Sequence, residues 1–375
     1  MPVITPDRAR ALRMAALLVA PRPASAGTPA TVDAIVTHLG AMQAQDNASG
    51  LWSLGLRLGG ATQAEVTVAL ERREALRTWP MRGTVHLVPS RDAHWMLDVT
   101  GSKALAGAAK RRQYLGLADE VADRAVETIG EQLSGGRRLT RAQLLDALVA
   151  SGVPITNNLG YHLLWYASQR GVSAIAPDVD GEQTFVLLDD WVPDPVRLST
   201  DEALATLATR YFRSHGPTTR QDFQGWTGLN VTESKKAIAL AGDALATAEL
   251  DGVEVLLDPV LLEAGLLDAD LPDDDSIHAL PGFDEYMLGY KDRSLFLDKS
   301  QFDAVVPGGN GMFRSTLVRR GRVLATWTRS TKGKRGVVTA TPLVRLTKAD
   351  RAAAEKALQP WADHVGLPLE VRWES

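Results

Sequence analysis

The sequence contains no cysteine. This absence excludes a disulfide scaffold, a zinc finger, an iron–sulfur centre and a thiol nucleophile. The seven histidines show no metal-ligand spacing such as His-x-x-x-His, so no metal site is predicted. Phosphate-loop, dinucleotide and serine-hydrolase motifs are also missing, and we expect no cofactor. The glycine-rich run 308–311 lacks the lysine and the following helix of a phosphate loop, so it is predicted to be a hairpin tip.

Long hydrophobic runs are absent as well. No apolar stretch approaches the roughly 20 residues that cross a membrane. The N-terminus is polar, and the apolar run 14–20 is too short and too poorly flanked for a signal peptide. Hydrophobic residues nevertheless make up 45% of the chain, which excludes a long disordered protein. These features predict a globular, cytoplasmic protein with no membrane segment.

Basic residues are too few for a uniformly basic surface, because the net charge is −4. Charge is nevertheless segregated along the chain. The stretch 251–276 contains acids but no lysine or arginine, whereas 314–335 contains eight basic residues and no acid. A basic face favours a polyanionic partner, but charge alone leaves open the alternative that each cluster is a solvated surface. The acidic run 268–275 is expected to be an exposed loop.

One arrangement of helices and strands recurs, and the middle of the chain shows it best. Thr140 is placed to cap a helix whose apolar residues follow at helical spacing. Gly152 marks the break after that helix, and 159–169 has the pattern of a second amphipathic helix. Two short apolar runs then flank a turn at 178–181. Two helices and a hairpin in this order predict a winged helix-turn-helix.

Looser copies of the arrangement precede and follow this unit. The first copy has predicted helices at 31–39 and 63–71 and strands at 76–81 and 84–88. The third copy has predicted helices at 204–212, 220–226 and 233–241 and a hairpin around the Asp251-Gly252 turn. Thr232 is expected to cap the last of these helices. Further strand patterns follow at 313–318, 322–328 and 336–344.

The chain is therefore predicted to be an α+β protein with three tandem winged helix-turn-helix units and a C-terminal β-rich mixed domain. The corresponding domains are 1–115, 116–197, 198–275 and 276–375. Winged helices often bind DNA, but others serve as protein-binding modules, so the fold alone does not decide the function.

Two glutamines, Gln43 and Gln45, lie in a polar segment directly after an apolar helix. In an extended backbone their side chains project to one side, whereas on a helix they diverge by roughly 200°. The alternative is a solvated helix end in which Asp46 or Asn47 caps the next helix. Periodicity alone leaves both interpretations open.

Four segments resemble a known enzyme family. They are 42–46 (Met-Gln-Ala-Gln-Asp), 77–87, 280–293 and 321–327, and they follow in the family's order across most of the chain. Together they are similar to the winged-helix DNA glycosylases of the AlkZ/YcaQ type, which remove bulky alkylated guanines and unhook interstrand cross-links. The resemblance implies tandem winged helices, in agreement with the pattern above.

The resemblance also implies a catalytic Gln-x-Gln signature on Gln43 and Gln45. In the other branch of the family the second position is Asp, so Gln45 resembles the branch that unhooks cross-links and confers self-resistance to antibiotics. Asp46 is one position out of register and is left out of the catalytic set. No metal, organic cofactor or lyase lysine is implied.

Amide chemistry limits the substrates of such a signature. Ordinary base excision needs a carboxylate that stabilises the oxocarbenium-like sugar or activates water. Glutamine does neither, but an N7-alkylguanine already carries positive charge and needs no protonation to leave. A glutamine amide donates and accepts hydrogen bonds, so it can hold a water against C1′. We therefore expect a monofunctional DNA glycosylase that hydrolyses bulky, cationic N7-alkylguanine adducts.

Double-stranded DNA that carries an alkylated guanine is the expected partner, bound by a monomer with no obligate protein partner. A cross-link does not fit a tight base-flipping pocket, so we expect an open cleft that holds the DNA by its phosphates. The predicted contacts are Arg82, His86, Arg314, Arg319, Arg322, Arg329, Lys332, Lys334 and Arg335. Residues 330–336 are predicted to be a hairpin tip near the DNA, or else a solvated turn. For Arg82 and His86 the alternatives are a turn residue and a structural hydrogen bonder.

The competing hypothesis is a non-catalytic winged-helix DNA-binding protein, either a transcription regulator or a drug-sequestering resistance protein. Such a protein needs a recognition helix that reads bases, usually in a dimer. The candidate helices 159–169 and 233–241 are not dense in arginine, asparagine and glutamine, which disfavours this hypothesis.

Two other groups of residues are assigned structural roles. The carboxylates of Asp284 and Glu285 are expected to be buried partners of arginine or lysine rather than metal ligands. The indole rings of Trp79, Trp95 and Trp327 are expected in the core rather than stacked on a lesion.

Overall fold

Helices and strands alternate along the chain in the computed structural model, which describes residues 1–266 and 274–374 and, of residues 102, 103 and 157, the backbone only. The helices are α1 (Pro6–Ala16), α2 (Val32–Leu39), α3 (Asn47–Arg57), α4 (Gln63–Glu71), α5 (Ala93–Thr100), α6 (Ser102–Tyr114), α7 (Asp119–Leu133), α8 (Arg141–Ala150), α9 (Asn157–Gln169), α10 (Leu188–Trp191), α11 (Thr200–His215), α12 (Arg220–Thr227), α13 (Val231–Ala241), α14 (Pro259–Leu266), α15 (Glu285–Leu288), α16 (Phe302–Val305) and α17 (Lys348–Val365). The strands are β1 (Val3–Ile4), β2 (Met42–Gln43), β3 (Ala75–Met81), β4 (Thr84–Pro89), β5 (Arg138–Thr140), β6 (Ser173–Val179), β7 (Glu182–Leu187), β8 (Ala246–Leu250), β9 (Val253–Leu257), β10 (Ile277–Leu280), β11 (Ser315–Arg319), β12 (Arg322–Lys332), β13 (Arg335–Pro342) and β14 (Leu369–Trp373). Most of the acidic run 268–275, expected to be an exposed loop, lies outside the described residues.

The chain forms two compact units. The first unit comprises Met1–Val66, Leu204–Trp226 and the described residues of Asn230–Ser375, and the second comprises Thr67–Ala203 and Thr227–Leu229. Both contain helices and sheets, which confirms the predicted α+β class. The helices and hairpins expected for each copy of the repeated arrangement are present. Their assignment as winged-helix units, and the four domain boundaries, stay predictions.

The second unit contains the hairpins predicted as the wings of the first two copies. β3 and β4 turn at Arg82-Gly83, and β6 and β7 turn at Asp180-Gly181, with positive φ at all four residues. Positive φ at both central residues is the geometry of two-residue hairpin turns. β3 also pairs with β6, so the hairpins share one sheet, with the order β4-β3-β6-β7-β5 inside this unit. α5 and α9 pack against β3, whose residues are all buried.

The first unit contains a small sheet in the order β1-β8-β9. Its hairpin turns at Asp251-Gly252, as the sequence predicts, and β1 adds to β8 in parallel. Apolar residues of α1, among them Leu12, pack on Val255 and Leu257. The N-terminal segment is thereby attached to a hairpin that lies more than two hundred residues later in the sequence.

The C-terminal part of the first unit is a sheet in the order β10-β11-β12-β13-β14, in which only β14 is parallel to its neighbour. α17 and α3 pack against one another, and α17 covers β10. The core between them contains Trp52, Trp327 and Trp361. The indole nitrogen of Trp52 donates to the carbonyl of Ala279 at 3.0 Å. This bond attaches α3, the helix that follows the two glutamines, to the C-terminal sheet.

Several local predictions are confirmed. Thr140 caps α8 in a reciprocal capping box with Gln143. Trp79, Trp95 and Trp327 are buried, as expected for core residues. Residues 330–336 form the hairpin between β12 and β13. In the described ranges, no helix combines the length and the hydropathy needed to cross a membrane.

Two local predictions are wrong. The cap of α13 is Asn230, whose side chain accepts from the backbone of Glu233 at 2.9 Å while Glu233 accepts from the backbone of Asn230 at 2.7 Å. This reciprocal pair places Thr232 inside the helix rather than at its start. The run 308–311 is not a hairpin tip, because Pro307–Gly309 is a short helical turn that connects α16 to the approach to β11.

Candidate active site

The two predicted catalytic glutamines lie where the backbone is not helical. Gln43 ends β2, Gln45 follows two residues later, and α3 begins only at Asn47. The helical arrangement, in which the two side chains diverge, is therefore excluded. Asp46 occupies the N-cap position of α3, but its side chain makes no capping hydrogen bond. The interpretation that Asp46 serves as a side-chain cap is wrong.

The glutamine segment is buried up to residue 44 and becomes exposed at Gln45. Met42 and Ala44 are buried, Gln43 is 9% exposed, and Gln45 is exposed. Across residues 1–266 and 274–374, neither glutamine side chain has a hydrogen-bond partner. Both amides therefore keep their full capacity to donate to and accept from a water or a substrate.

The backbone of Gln43 is held by a buried carboxylate. Its N–H donates to Oε1 of Glu285 at 2.8 Å. The other oxygen, Oε2, accepts from the indole of Trp226 at 2.9 Å and lies 3.3 Å from Nε2 of His215. Glu285 is 1% exposed, so these donors offset the loss of water around its carboxyl group. Glu285 is buried, as expected, and the donors above are a backbone N–H, an indole and a histidine.

The neighbouring carboxylate has the structural role that the sequence predicts. Asp284 accepts two hydrogen bonds from the guanidinium of Arg57, at 2.9 and 3.1 Å. Ser53 donates to the same carboxylate at 3.1 Å, and both side chains of the ion pair have no exposed surface. This pair joins α3 to the start of α15. The described residues contain no cluster of carboxylates and histidines that is suited to a metal ion.

A second ion pair connects the glutamine segment to the basic hairpin. Arg329, in β12, donates to Oδ2 of Asp46 and, at 3.1 Å, to the hydroxyl of Ser49. Ser49 in turn donates to the same Asp46 oxygen at 2.5 Å. The residue next to Gln45 is therefore a carboxylate whose charge is balanced by arginine. Sequence reasoning singled out Asp46 and Arg329 separately but contained no signal that they meet.

The structure divides the predicted DNA contacts of the basic stretch 314–335 into two groups. The 11 residues of β12 separate its ends by about 33 Å. Arg329 lies toward the end that meets Asp46, and Arg314 precedes the β11 residue that pairs with Trp327. The hairpin tip beyond them presents three exposed basic residues, Lys332, Lys334 and Arg335.

The other group lies near the opposite end of β12. Arg322 is exposed there, and Arg319 pairs with Asp350 at 2.7 Å. Hydrogen bonds from Thr347, assisted by Arg319, lower the pKa of Asp350 to about 2. The carboxylate therefore stays ionised and accepts from Arg319.

The two predicted contacts of the second unit differ in accessibility. Arg82 is an exposed turn residue with φ of 56°. His86 has no exposed surface, and its Nδ1 lies 2.8 Å from the carbonyl of Thr84. A buried ring cannot reach a phosphate, so we leave His86 out of the proposed DNA interface. The alternative of a structural hydrogen bonder describes it better.

These observations describe a mixed α+β protein with an exposed basic hairpin and a buried carboxylate network around the glutamine segment. Within the described part of the chain, the amides of Gln43 and Gln45 have no hydrogen-bond partner. The chain belongs to the AlkZ-like DNA glycosylase family, because the model of that family matches residues 36–364. This match confirms the resemblance seen in the sequence.

Two comparisons with individual proteins agree with the family. The chain is 28% identical over 315 residues to the interstrand DNA cross-link repair glycosylase of Streptomyces sahachiroi, covering 78% of this chain and 81% of the relative. The solved structure of the Streptomyces sahachiroi DNA glycosylase AlkZ has a TM-score of 0.79 and 24% identity to this chain, with 100% of both chains covered. The structural likeness shows that the two proteins share a fold.

Proposed function

We propose that this protein is a monofunctional DNA glycosylase that hydrolyses the N-glycosidic bond of bulky, cationic N7-alkylguanines and unhooks interstrand cross-links. The observation that carries the proposal is the pair of amides on Gln43 and Gln45, which have no protein partner in the described chain. The name of the Streptomyces sahachiroi relative supports the extension to cross-links. The biological role is DNA repair or self-resistance to a genotoxic natural product.

The proposed reaction needs an ordered water more than it needs an acid. The C1′–N9 bond breaks with its electron pair going to the alkylated guanine, which leaves as a neutral base. The water that the glutamine amides hold adds through its oxygen to C1′, and its proton passes to solvent. Positioning of this kind is worth several kcal/mol. Lyase chemistry would need an amine nucleophile, and residues 40–49 contain no lysine.

One experiment separates this proposal from a non-catalytic DNA-binding protein. A duplex with a single bulky N7-alkylguanine is incubated with the protein, and abasic sites are revealed by alkaline cleavage. Strand cleavage supports the glycosylase. Sequence-dependent binding to undamaged duplex, with no cleavage of any N7 adduct, would support the binding protein instead.

The proposal predicts strong selectivity for a positively charged leaving group. When the same alkyl group is placed on O6 of guanine, which leaves the base uncharged, we expect excision to slow by about a hundredfold or more. The reason is that an uncharged base needs a general acid, an aid worth about 10² to 10⁴ in rate, and glutamine cannot supply it. The measurement is the single-turnover rate on the two matched duplexes. Equal rates would show that the positive charge of the leaving base does not determine the excision rate.

The proposed DNA contacts are Arg82, Arg314, Arg329, Lys332, Lys334 and Arg335. We expect Lys332→Gln/Lys334→Gln to weaken duplex binding and to reduce the slope of log K against log salt by about 2, since each lost phosphate contact removes about 0.9. The matched control is Arg322→Gln, an exposed cation at the other end of β12. Its slope should equal that of the wild type. If Arg322→Gln changes the slope and the double variant does not, DNA does not bind at the hairpin tip as proposed.

A further inference from the structure

We propose that Glu285 is a positioning residue for excision: its carboxylate holds the backbone of Gln43 and thereby fixes where the Gln43 amide presents a water. This inference rests on the proposed glycosylase function. Glu285 contacts neither the substrate nor the water in the proposed reaction. It acts only through Gln43.

Gln43 depends on an external partner for its position. Its side chain has no hydrogen bond among the described residues, and it ends a strand of two residues. The bond from its backbone N–H to Oε1 of Glu285, at 2.8 Å, fixes the backbone of this residue within the first unit. A shift of about 1 Å in a positioning group can cost a hundredfold in rate.

Glu285 is held firmly enough to serve as that partner. Its Oε2 accepts from Trp226 at 2.9 Å and lies 3.3 Å from Nε2 of His215. The ring of His215 stacks on Tyr211 with 4.6 Å between centroids. On another side it packs so closely on Gly289 that a Cβ there would overlap it. Burial raises the pKa of Tyr211, so its hydroxyl stays neutral beside this network.

A carboxylate suits this site better than an amide. Both oxygens of Glu285 face donors, one toward Gln43 and the other toward Trp226 and His215. In Glu285→Gln one oxygen becomes an NH₂ group, which cannot accept a hydrogen bond. The variant therefore loses either the bond from Gln43 or the bonds on the side of Trp226 and His215. The variant keeps the size of the side chain, so it changes the hydrogen bonding without opening a cavity.

The test uses the full chain and a duplex with one N7-alkylguanine. We expect Glu285→Gln to lower the single-turnover rate at least about tenfold while the half-saturating enzyme concentration changes by less than about twofold. The control is Ser53→Ala, another buried position that bonds Asp284 and Arg57 but not Gln43. Its rate should stay within about threefold of wild type. Equal losses in the two variants would overturn the proposal in favour of a general packing effect.

A second comparison isolates the route through Gln43. Glu285→Gln added to Gln43→Ala should cause little further loss, because the residue that it positions is already gone. Independent, multiplied losses would overturn the inference. Hydrogen exchange of the peptide 41–46 provides a readout that does not depend on activity. Faster exchange in Glu285→Gln supports the contact, and unchanged exchange overturns it, even if the wild type excises no N7 adduct and the proposed function itself fails.

Discussion

Replacing Gln45 by alanine is expected to lower the excision rate about a hundredfold or more while duplex affinity stays close to that of the wild type. Removing one preoriented hydrogen-bonding group from an active site typically costs about 10² to 10³ in rate. The Gln45 side chain is exposed and bonds no other described residue. Its loss therefore leaves no buried group unpaired, and folding should be unaffected. The measurements are single-turnover excision and duplex binding on the same N7-alkylguanine substrate.

The control for this prediction is Gln113→Ala, which removes an exposed glutamine of α6 and should excise at the wild-type rate. Gln43→Ala is expected to match Gln45→Ala, since the two amides are proposed to hold one water. A Gln45→Ala protein that loses duplex binding together with excision would contradict the assigned role. Gln45 would then be a DNA contact rather than a residue that holds the water.

Features that depend on a few neighbouring residues were predictable from the sequence. The Thr140 cap, the Asp251-Gly252 turn and the β12–β13 tip each depend on a local pattern of polar and glycine residues. The error at α13 has the same local origin. Asn230 and Thr232 are both acceptable caps, and the reciprocal bond with Glu233 selects Asn230.

The partners of the site residues were not predictable in the same way. Gln43 and Glu285 are 242 residues apart in the sequence, and Asp46 and Arg329 are 283 apart. No periodicity links such positions, because the contacts exist only after the C-terminal sheet has packed on α3. The resemblance to the family implied that Gln43 and Gln45 are the catalytic residues. It also covered the segment 280–293, whose carboxylates were expected to be buried, but it did not indicate that one of them holds Gln43.

The basic stretch 314–335 shows how charge in the sequence differs from charge in space. Its residues are continuous along the chain, yet β12 carries Arg322 and Lys332 to ends about 33 Å apart. Arg319 is paired with Asp350, and Arg329 with Asp46. A phosphate contact at Arg329 would compete with an existing ion pair, whereas Lys332 and Lys334 at the exposed tip have no such cost. We therefore expect the tip to bind DNA more favourably than Arg329, because no ion pair has to break there.

The glutamine segment thus combines two amides without a partner among the described residues with a buried, hydrogen-bonded support. Neutral amides provide hydrogen bonds but no charge, which fits a substrate that brings its own positive charge. The buried acids of the segment 283–286 do not enter the reaction. They hold Gln43 through Glu285 and α3 through Asp284. Damage to the Arg57–Asp284 part of this support is expected to appear first as instability.

Arg57→Met is expected to lower the free energy of unfolding by about 3–5 kcal/mol, the usual cost of leaving one partner of a buried ion pair unpaired. Arg57 and Asp284 have no exposed side-chain surface. Among the described residues, the carboxylate of Asp284 would keep only its hydrogen bonds from Ser53 and from the backbone N–H of Tyr286. The charge of Asp284 would then be buried without a cation. Guanidinium unfolding followed by circular dichroism measures the loss.

The matched control is Arg372→Met, which breaks the exposed pair with Glu370 and should cost less than about 1 kcal/mol. Arg57→Met/Asp284→Leu should recover part of the lost stability, because it removes the unpaired charge as well as the arginine. If Arg57→Met is no more destabilising than Arg372→Met, the pair does not support α3. The position of the glutamine segment must then depend on Glu285 and on the packing of Trp52 against the C-terminal sheet.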